Sequence, residues 1–144
     1  MQDHWSTSYV GLPWLEKGDT RAGVSCWGLC QIVYRDLAGI VLPSYGDRFA
    51  CSAEQAEVQA IIRGATSGPA WAPVALEDAR DLDVAVFAVA GLDAHVGLIC
   101  GPGRMLHITH GQDSAIVDYR AGRWAHRLSG IYRHAEMMER ARAA

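Results

Sequence analysis

The sequence predicts an α+β domain in which helices pack on an antiparallel sheet. Apolar residues recur at helical spacing in the first half of the chain, whereas short apolar or alternating runs follow from residue 84 onward. Glycine-containing turns separate those runs, as is typical of strands that pair antiparallel with their neighbours. With 144 residues, half of them hydrophobic, the chain is long enough to bury a core, and we expect one domain over residues 1–144.

Residues 4–24, the entry segment, are predicted to carry little secondary structure, because they are turn-prone and contain several glycines. The first helix is predicted over residues 26–38. Ser25 belongs to the residue types that cap helix N-termini, and Gly39 suits the position just after the last turn. Four apolar residues on one face would anchor this helix in the core: Leu29, Ile32, Val33 and Leu37.

The first residue of that helix is a cysteine, Cys26. The first turn of a helix carries N–H groups without helical partners and the positive end of the helix dipole, and both stabilise a thiolate. Cysteines in such positions often have a pKa below the roughly 8.5 of a free thiol and act as nucleophiles. The alternative is that Cys26 is an ordinary buried residue, because free cysteine behaves as a small hydrophobe.

A second helix is predicted to begin at Ser52, which has capping-box spacing to Gln55. Residues 64–73, which include Trp71, are predicted to form a loop. The remaining predicted elements are strands at 84–90, 95–100, 104–109 and 115–119, turns at 91–93, 101–103 and 111–113, a candidate fifth strand at 124–128 and a closing helix at 130–143.

Two histidines are predicted to share one face of the hairpin that turns at residues 101–103. A three-residue loop places Gly97 opposite His107 and puts His95 on the diagonal, about 7–8 Å away. Gly97 would leave room for the helix N-terminus to approach, and His110 points to the other face or lies in the turn. The apolar residues of the opposite face would be buried: Val96, Leu98, Cys100, Leu106 and Ile108.

These residues allow three interpretations. In a Cys-His-His relay, Cys26 is the nucleophile, His95 takes its proton, and His107 orients His95. A zinc site would use Cys26, Cys30, His95 and His107, although the sequence has no Cys-x-x-Cys knuckle. The third interpretation is that the histidines are incidental residues on an exposed strand face.

Composition and charge exclude several classes of protein. A formal net charge of −3 without a basic run argues against nucleic-acid binding. No apolar stretch is long enough to span a membrane, and residues 1–5 do not resemble a signal peptide, so we expect synthesis in a cytoplasm without membrane insertion. Four irregularly spaced cysteines indicate reduced thiols rather than a disulfide scaffold.

Three motifs, in order, resemble the NlpC family of cell-wall cysteine peptidases: "SCWGLCQIVYRDLAGIVLP", "DVAVF" and "HVGLICGPGRMLHI". The resemblance implies a papain-like core and the catalytic set Cys26, His95 and His107, without a metal or other cofactor. It also implies hydrolysis of peptide bonds in the stem peptides of peptidoglycan, typically between D-glutamate and a diamino acid.

The segments "YVGLPW" and "LPSY" and the Trp after the cysteine are most similar to the branch of that family found in phage and prophage tails. This similarity implies incorporation into a phage or phage-like tail, tail-tip or hub proteins as partners, and a role in breaching the cell wall.

The chain departs from the family pattern at two positions. Ser25 stands where the family usually has Asp before the nucleophile, and we expect Ser25 to serve as the helix cap. Trp14 stands where many members have a Tyr near the oxyanion site, and its indole N–H can donate one hydrogen bond. The backbone N–H of Cys26 is the other oxyanion donor that we expect.

Two alternative functions remain open at this point. The chain could be a structural tail protein that has lost activity, or an amidase or acyltransferase of the same broad fold. Three aromatic residues would either dock the protein on the wall or lie in the core, which is the commoner fate of large aromatics: Trp5, Trp71 and Trp124.

Overall fold

A computed structural model describes residues 4–42, 71–89 and 92–143 of the chain, with the backbone alone described at 89, 92–94 and 140–143. The predicted second helix with its capping pair Ser52 and Gln55 lies outside these residues, as does most of the predicted 64–73 loop. No helix among the described residues is both long and apolar enough to cross a membrane.

The N-terminal segment carries more structure than its sequence predicts. A 3₁₀ helix spans Trp5–Tyr9, and two short strands, β1 (Asp19–Thr20) and β2 (Gly23–Val24), form an antiparallel pair just before the first long helix. Two-residue strands leave no sequence periodicity, which is why the polar, glycine-containing stretch indicated only a loop.

The first helix, α1 (Cys26–Val33), begins at the predicted residue. The Ser25 hydroxyl accepts a hydrogen bond from the Gly28 N–H at 3.0 Å, which confirms Ser25 as the N-cap and stabilises the helix by about 1 kcal/mol. The helix continues as a wider π turn over Tyr34–Ala38 and ends at Gly39, whose φ of 67° lies in the left-handed region. The predicted 26–38 span is therefore correct, and the widening of the last turn was not predicted. Leu29, Ile32 and Val33 are buried as expected, whereas Leu37, in the widened turn, is 46% exposed, so its predicted place in the core is wrong.

Six further strands form one antiparallel sheet. They are β3 (Trp71–Val74), β4 (Val84–Val89), β5 (Leu92–Ile99), β6 (Arg104–His107), β7 (Ala115–Asp118) and β8 (Leu128–His134), in the spatial order β3-β8-β4-β5-β6-β7. The chain ends in helix α2 (Ala135–Ala143). The α+β prediction is confirmed.

Four local predictions are wrong. Trp71 begins β3 instead of lying in a loop, and Leu92 and Asp93 belong to β5 instead of a turn. The candidate strand at 124–128 is replaced by a 3₁₀ turn at Gly122–Trp124, and the expected closing helix starts five residues late because 130–134 pair with β3 and β4. Pairing on both sides of β8 outweighs the helical pattern that those residues share with α2.

The sheet is covered on both faces. Helix α1 packs against β5 and shares the main core cluster with the predicted apolar set of the hairpin, so that part of the prediction is confirmed. The opposite face also carries a buried cluster, made of Ala85, Phe87, Ile99, Met105, Tyr119, Trp124 and Ile131. The predicted histidines therefore do not face solvent.

Candidate active site

The Cys26 side chain is 1% exposed and sits on the first residue of α1. The backbone just before it is fixed by hydrogen bonds to the entry segment, from the Ser25 N–H to the Gly18 carbonyl at 3.0 Å and from the Val24 N–H to the Pro13 carbonyl at 2.9 Å. These contacts hold the start of the helix, where the dipole favours a thiolate, in one position.

Gly28 allows this close approach. A Cβ at Gly28 would lie 1.7 Å from the Gly18 carbonyl oxygen, so only glycine fits between the helix and the entry segment. Gly28 is thus held by backbone contact with Gly18. The sequence did not reveal that this position requires glycine.

The two predicted histidines form a direct hydrogen bond. Nε2 of His95 lies 2.8 Å from Nδ1 of His107, and their exposed fractions are 5% and 7%. The register Leu98↔Leu106 continues by one residue to place Gly97 opposite His107, as predicted. The spacing of β5 and β6 thus brings together two imidazoles that are 12 residues apart in sequence.

The nearest neighbours of Gly97 lie on β6. A Cβ at Gly97 would lie 2.6 Å from Sδ of Met105 and 3.3 Å from Cβ of His107. The expected approach of the helix N-terminus to Gly97 stays a prediction. The glycine allows His107 to lie close against β5.

The strand beside His95 is irregular. The β4–β5 ladder shifts register between Phe87 and Ala88, and the β4–β8 ladder shifts between Val86 and Phe87. Phe87 pairs with His95, and their rings lie 6.3 Å apart. Bulges of this kind redirect side chains and are frequent next to active sites.

Both imidazoles are neutral near pH 7. Burial, with smaller contributions from the charges of His107 and Arg123, lowers the pKa of His95 from 6.5 to about 3. Burial and the Arg123 charge lower the pKa of His107 to about 4. One proton therefore lies between the two rings, and each ring keeps one nitrogen for another partner.

The structure joins two of the three residues of the predicted relay. Helix α1, which begins with Cys26, packs against β5, which carries His95. Within the described residues, the hydrogen bond that His95 makes is the one to His107, so the pairing of Cys26 with His95 remains a prediction.

The described residues contain no group of three or more His, Cys, Asp or Glu side chains arranged to hold a metal ion. The Cys30 thiol of the zinc interpretation donates to the Cys26 carbonyl of its own helix at 3.5 Å and is buried. Cys100 is also buried, and burial first of all raises the pKa of its thiol to about 11, which makes it unreactive.

Trp14 lies beside the entry to the helix. Its backbone bridges Val24, two residues before Cys26, and its ring lies 4.2 Å from the ring of His110. Its indole Nε1 is buried and makes no hydrogen bond with the described residues. A buried donor without a partner costs free energy. His110 lies in a turn, as predicted, and its ring contact is with Trp14.

The aromatic residues around the histidine pair were missed as site residues. Trp124 is 6% exposed and stacks on His95, and Phe87 lies edge-on to Trp124 at 5.2 Å. The sequence marked Trp124 only as a docking or core residue. Its contact with His95 comes from a turn 29 positions further along the chain, which no local pattern reveals.

The model of the NlpC/P60 family matches residues 11–133, and no curated protein matches the chain significantly. Among solved structures, an NlpC/P60 family protein from Bacillus cereus is 21% identical with a TM-score of 0.65. A protein similar to a lipoprotein of the NLP/P60 family, from Staphylococcus aureus, is 26% identical with a TM-score of 0.63. The NlpC/p60 domain of the peptidoglycan hydrolase SagA is 16% identical with a TM-score of 0.59.

These alignments cover 90%, 89% and 88% of this chain, respectively. The chain spans 38% of the Bacillus and Staphylococcus proteins and 90% of the SagA domain. The similarity therefore concerns one domain, which occurs in those two chains together with further sequence.

Proposed function

We propose that this chain, which belongs to the NlpC/P60 family, is a cysteine endopeptidase that hydrolyses peptide bonds in the stem peptides of peptidoglycan. The observation that carries the proposal is the buried 2.8 Å hydrogen bond between His95 and His107, with His95 on β5, the strand against which the Cys26 helix packs. The similarity to a domain of a peptidoglycan hydrolase supports this substrate class.

In the proposed reaction, the Cys26 thiol gives its proton to His95 and the sulfur attacks the scissile carbonyl carbon. Because Nε2 of His95 is bonded to His107, Nδ1 is the nitrogen left to take that proton. The productive tautomer has His95 donating its Nε2–H to Nδ1 of His107, which holds the ring in one orientation.

The tetrahedral intermediate then collapses. The C–N bond breaks, His95 returns the proton to the leaving amine, and a thioester joins Cys26 to the acyl group. Water, deprotonated by His95, hydrolyses the thioester and releases a carboxylate and the free thiol. The reaction requires no oxidant, reductant or cofactor.

Two donors would stabilise the oxyanion: the backbone N–H of Cys26, at the helix start, and the indole N–H of Trp14, which has no partner among the described residues. Ser25 has a different role, since its hydroxyl accepts from Gly28 and its N–H donates to Gly18. We therefore assign Ser25 to the positioning of the helix rather than to substrate contact.

The bond we propose is the one between D-glutamate and a diamino acid, and the setting we propose is a phage or phage-like tail in which tail-tip or hub proteins bring the domain to the wall. Both rest on the resemblance of the sequence motifs.

The test is the release of new amino termini from purified peptidoglycan by the wild-type protein, by Cys26→Ala and by Cys30→Ala. Cys30 is the matched control because it is a buried thiol one turn further along the same helix. We expect release by the wild type and by Cys30→Ala and none by Cys26→Ala, with mass spectrometry of the fragments identifying the bond.

Equal behaviour of the wild type and Cys26→Ala, on walls from several bacteria and with purified tail partners added, would overturn the proposal in favour of a structural tail protein. Release of sugar-linked lactate, freed from the stem peptide, would indicate an amidase. Formation of an acylated acceptor would indicate an acyltransferase.

A further inference from the structure

Trp124 closes the histidine pair from one side. It lies at the end of the 3₁₀ turn Gly122–Trp124, and its ring stacks on His95 with the centroids 4.7 Å apart and an angle of 15° between the planes. The same indole meets His107 edge-on, at 5.4 Å and 88°. One side chain thus contacts both rings of the hydrogen-bonded pair, each in a geometry that aromatic rings favour.

The remaining neighbours of the pair are also aromatic or apolar. The ring centroids of Phe87 and Trp124 are 5.2 Å apart, and those of Tyr119 and Phe87 are 6.1 Å apart. Met105 fills the space above Gly97 beside His107. The rings of Trp124 and Phe87 and the Met105 side chain lower the polarity around the pair, and such surroundings strengthen the hydrogen bond that the imidazoles make with each other.

A positive charge lies beside these rings. The Arg123 guanidinium sits 4.8 Å over the Trp124 ring, and Arg123 itself is exposed. A proton gained by His95 would be repelled by this charge and by a protonated His107, which are the charged groups that act on it. The facing residue on β4, Phe87, carries no charge.

Stacking also restricts rotation. An imidazole that turned about its Cβ–Cγ bond would exchange Nε2 for a carbon atom and lose the bond to His107, and a parallel indole at 4.7 Å opposes that rotation. The side of the ring that carries Nδ1 is therefore held in one direction, which is what a general base needs.

We propose that Trp124, supported by Arg123, is the positioning residue that shields His95 from water and holds it in one orientation as the base for Cys26. This inference rests on the proposed function for its kinetic readout. Its structural readout, the ionisation and tautomer of His95, is independent of substrate.

The experiment compares Trp124→Leu and Trp124→Phe with Trp71→Leu. Trp71 is the matched control because it is a buried tryptophan that meets another histidine, His134, edge-on at 5.0 Å in the other core cluster. Each variant is examined by NMR titration of the histidines, by the pH profile of Cys26 alkylation and by kcat/KM on peptidoglycan fragments.

For Trp124→Leu we expect the pKa of His95 to rise from about 3 toward 6.5, and kcat/KM to fall on the order of 10²-fold, because a displaced base loses its near-attack geometry. Trp124→Phe, which keeps an aromatic ring against His95, should retain most of the lowered His95 pKa and most of the wild-type kcat/KM. Trp71→Leu should lower the melting temperature and leave the His95 titration and the shape of the alkylation profile unchanged.

Arg123→Gln provides the second test, since an exposed side chain can be replaced even if Trp124→Leu fails to fold. We expect the pKa of both histidines to rise. Unchanged His95 titration in Trp124→Leu and Arg123→Gln, or an equal response in Trp71→Leu, would overturn the inference. A wild type that cleaves no more peptidoglycan than Cys26→Ala would instead overturn the proposed function, and the titrations would still decide the role of Trp124.

Discussion

The two faces of the six-stranded sheet are buried by different kinds of residue. Apart from Trp71 on β3, the large strand side chains that share the core with α1 are mainly aliphatic, with Val84, Val86, Val96, Leu98 and Leu106 fully buried. On the opposite face, two imidazoles lie among the rings of Phe87, Tyr119 and Trp124. One hairpin, β5–β6, contributes alternate residues to both faces.

The two faces therefore differ in what they contribute: the α1 face contributes mainly to stability, and the histidine face carries the groups proposed for catalysis. Aliphatic packing is non-directional and stabilises the fold in proportion to the area buried. Burying an imidazole carries a cost unless its polar atoms are paired, and the 2.8 Å bond between His95 and His107 offsets that cost. We therefore expect changes on the α1 face to act mainly on the free energy of unfolding, and changes on the histidine face to act mainly on rate and pH dependence.

The largest effect is expected from the histidines themselves. His95→Gln should lower kcat/KM by at least about 10³-fold, which corresponds to about 4 kcal/mol, because it removes the proposed base for the thiol proton. His107→Gln should lower it by about 10²-fold, since the base remains but loses its orientation. Activity assays on peptidoglycan fragments measure both values, and a His95→Gln enzyme of nearly normal rate would contradict the assignment.

The next largest effect is expected from two glycines, Gly28 in helix α1 and Gly97 beside the histidine pair on β5. Gly28→Ala places a Cβ 1.7 Å from the Gly18 carbonyl oxygen, which is backbone, and should cost on the order of 3 kcal/mol despite the roughly 1 kcal/mol that alanine gains in helix propensity. Gly97→Ala meets the end of the flexible Met105 side chain and Cβ of His107, and should cost about 1 kcal/mol.

Urea unfolding of the two variants measures these costs, and kcat/KM completes the comparison. Gly97→Ala should lose more activity than its loss of stability explains, because it displaces His107. If Gly97→Ala were the more destabilising variant, the entry segment at Gly18 would have to move aside at a lower cost in free energy than the side chains of β6.

The stability is also expected to depend on pH. Folding lowers the pKa of His95 to about 3 and that of His107 to about 4, whereas both take up protons near 6.5 in the unfolded chain. Below pH 6.5 the unfolded chain therefore binds more protons, and the free energy of unfolding decreases as the pH falls toward 4. Each histidine contributes at most about 1.4 kcal/mol per pH unit in that range.

Denaturant titrations of the wild type and of the double variant His95→Gln/His107→Gln, at several values between about pH 7 and pH 4.5, measure this contribution. The double variant should show the shallower dependence on pH. The same slope in both proteins would mean that the buried pair does not resist protonation.

The smallest expected effect is at the helix cap. Ser25→Ala removes the acceptor of the Gly28 N–H and should lower the free energy of unfolding by about 1 kcal/mol. Ser25→Asp, which can accept the same bond, should retain the stability of the wild type. Thermal or urea unfolding measures the stability of both variants. Equal stability of all three proteins would show that water can replace the Ser25 hydroxyl as the acceptor of the Gly28 N–H.

Much of the site could be predicted from residue patterns alone. Ser25 before an apolar helical repeat predicted the cap and the position of Cys26, because helix starts are determined locally. Alternation on the two strands around residues 101–103 predicted that His95 and His107 share a face, since the side-chain period of a strand is two and the loop length determines the register.

What the tertiary structure alone decided was the surroundings of those residues. The stacking of Trp124 on His95, the filling of the space above Gly97 by Met105, and the contact of Gly28 with Gly18 each join residues from separate elements. Even the closing strand at 128–134 was hidden, because its pairing with β3 and β4 competes with a helical pattern.

The sequence by itself therefore determined which groups we propose for the chemistry and which elements hold them, through caps, periodicity and turns that depend on near neighbours. The packing determined how dry, how neutral and how firmly oriented those groups are, because desolvation and ring stacking depend on side chains brought together from distant parts of the chain.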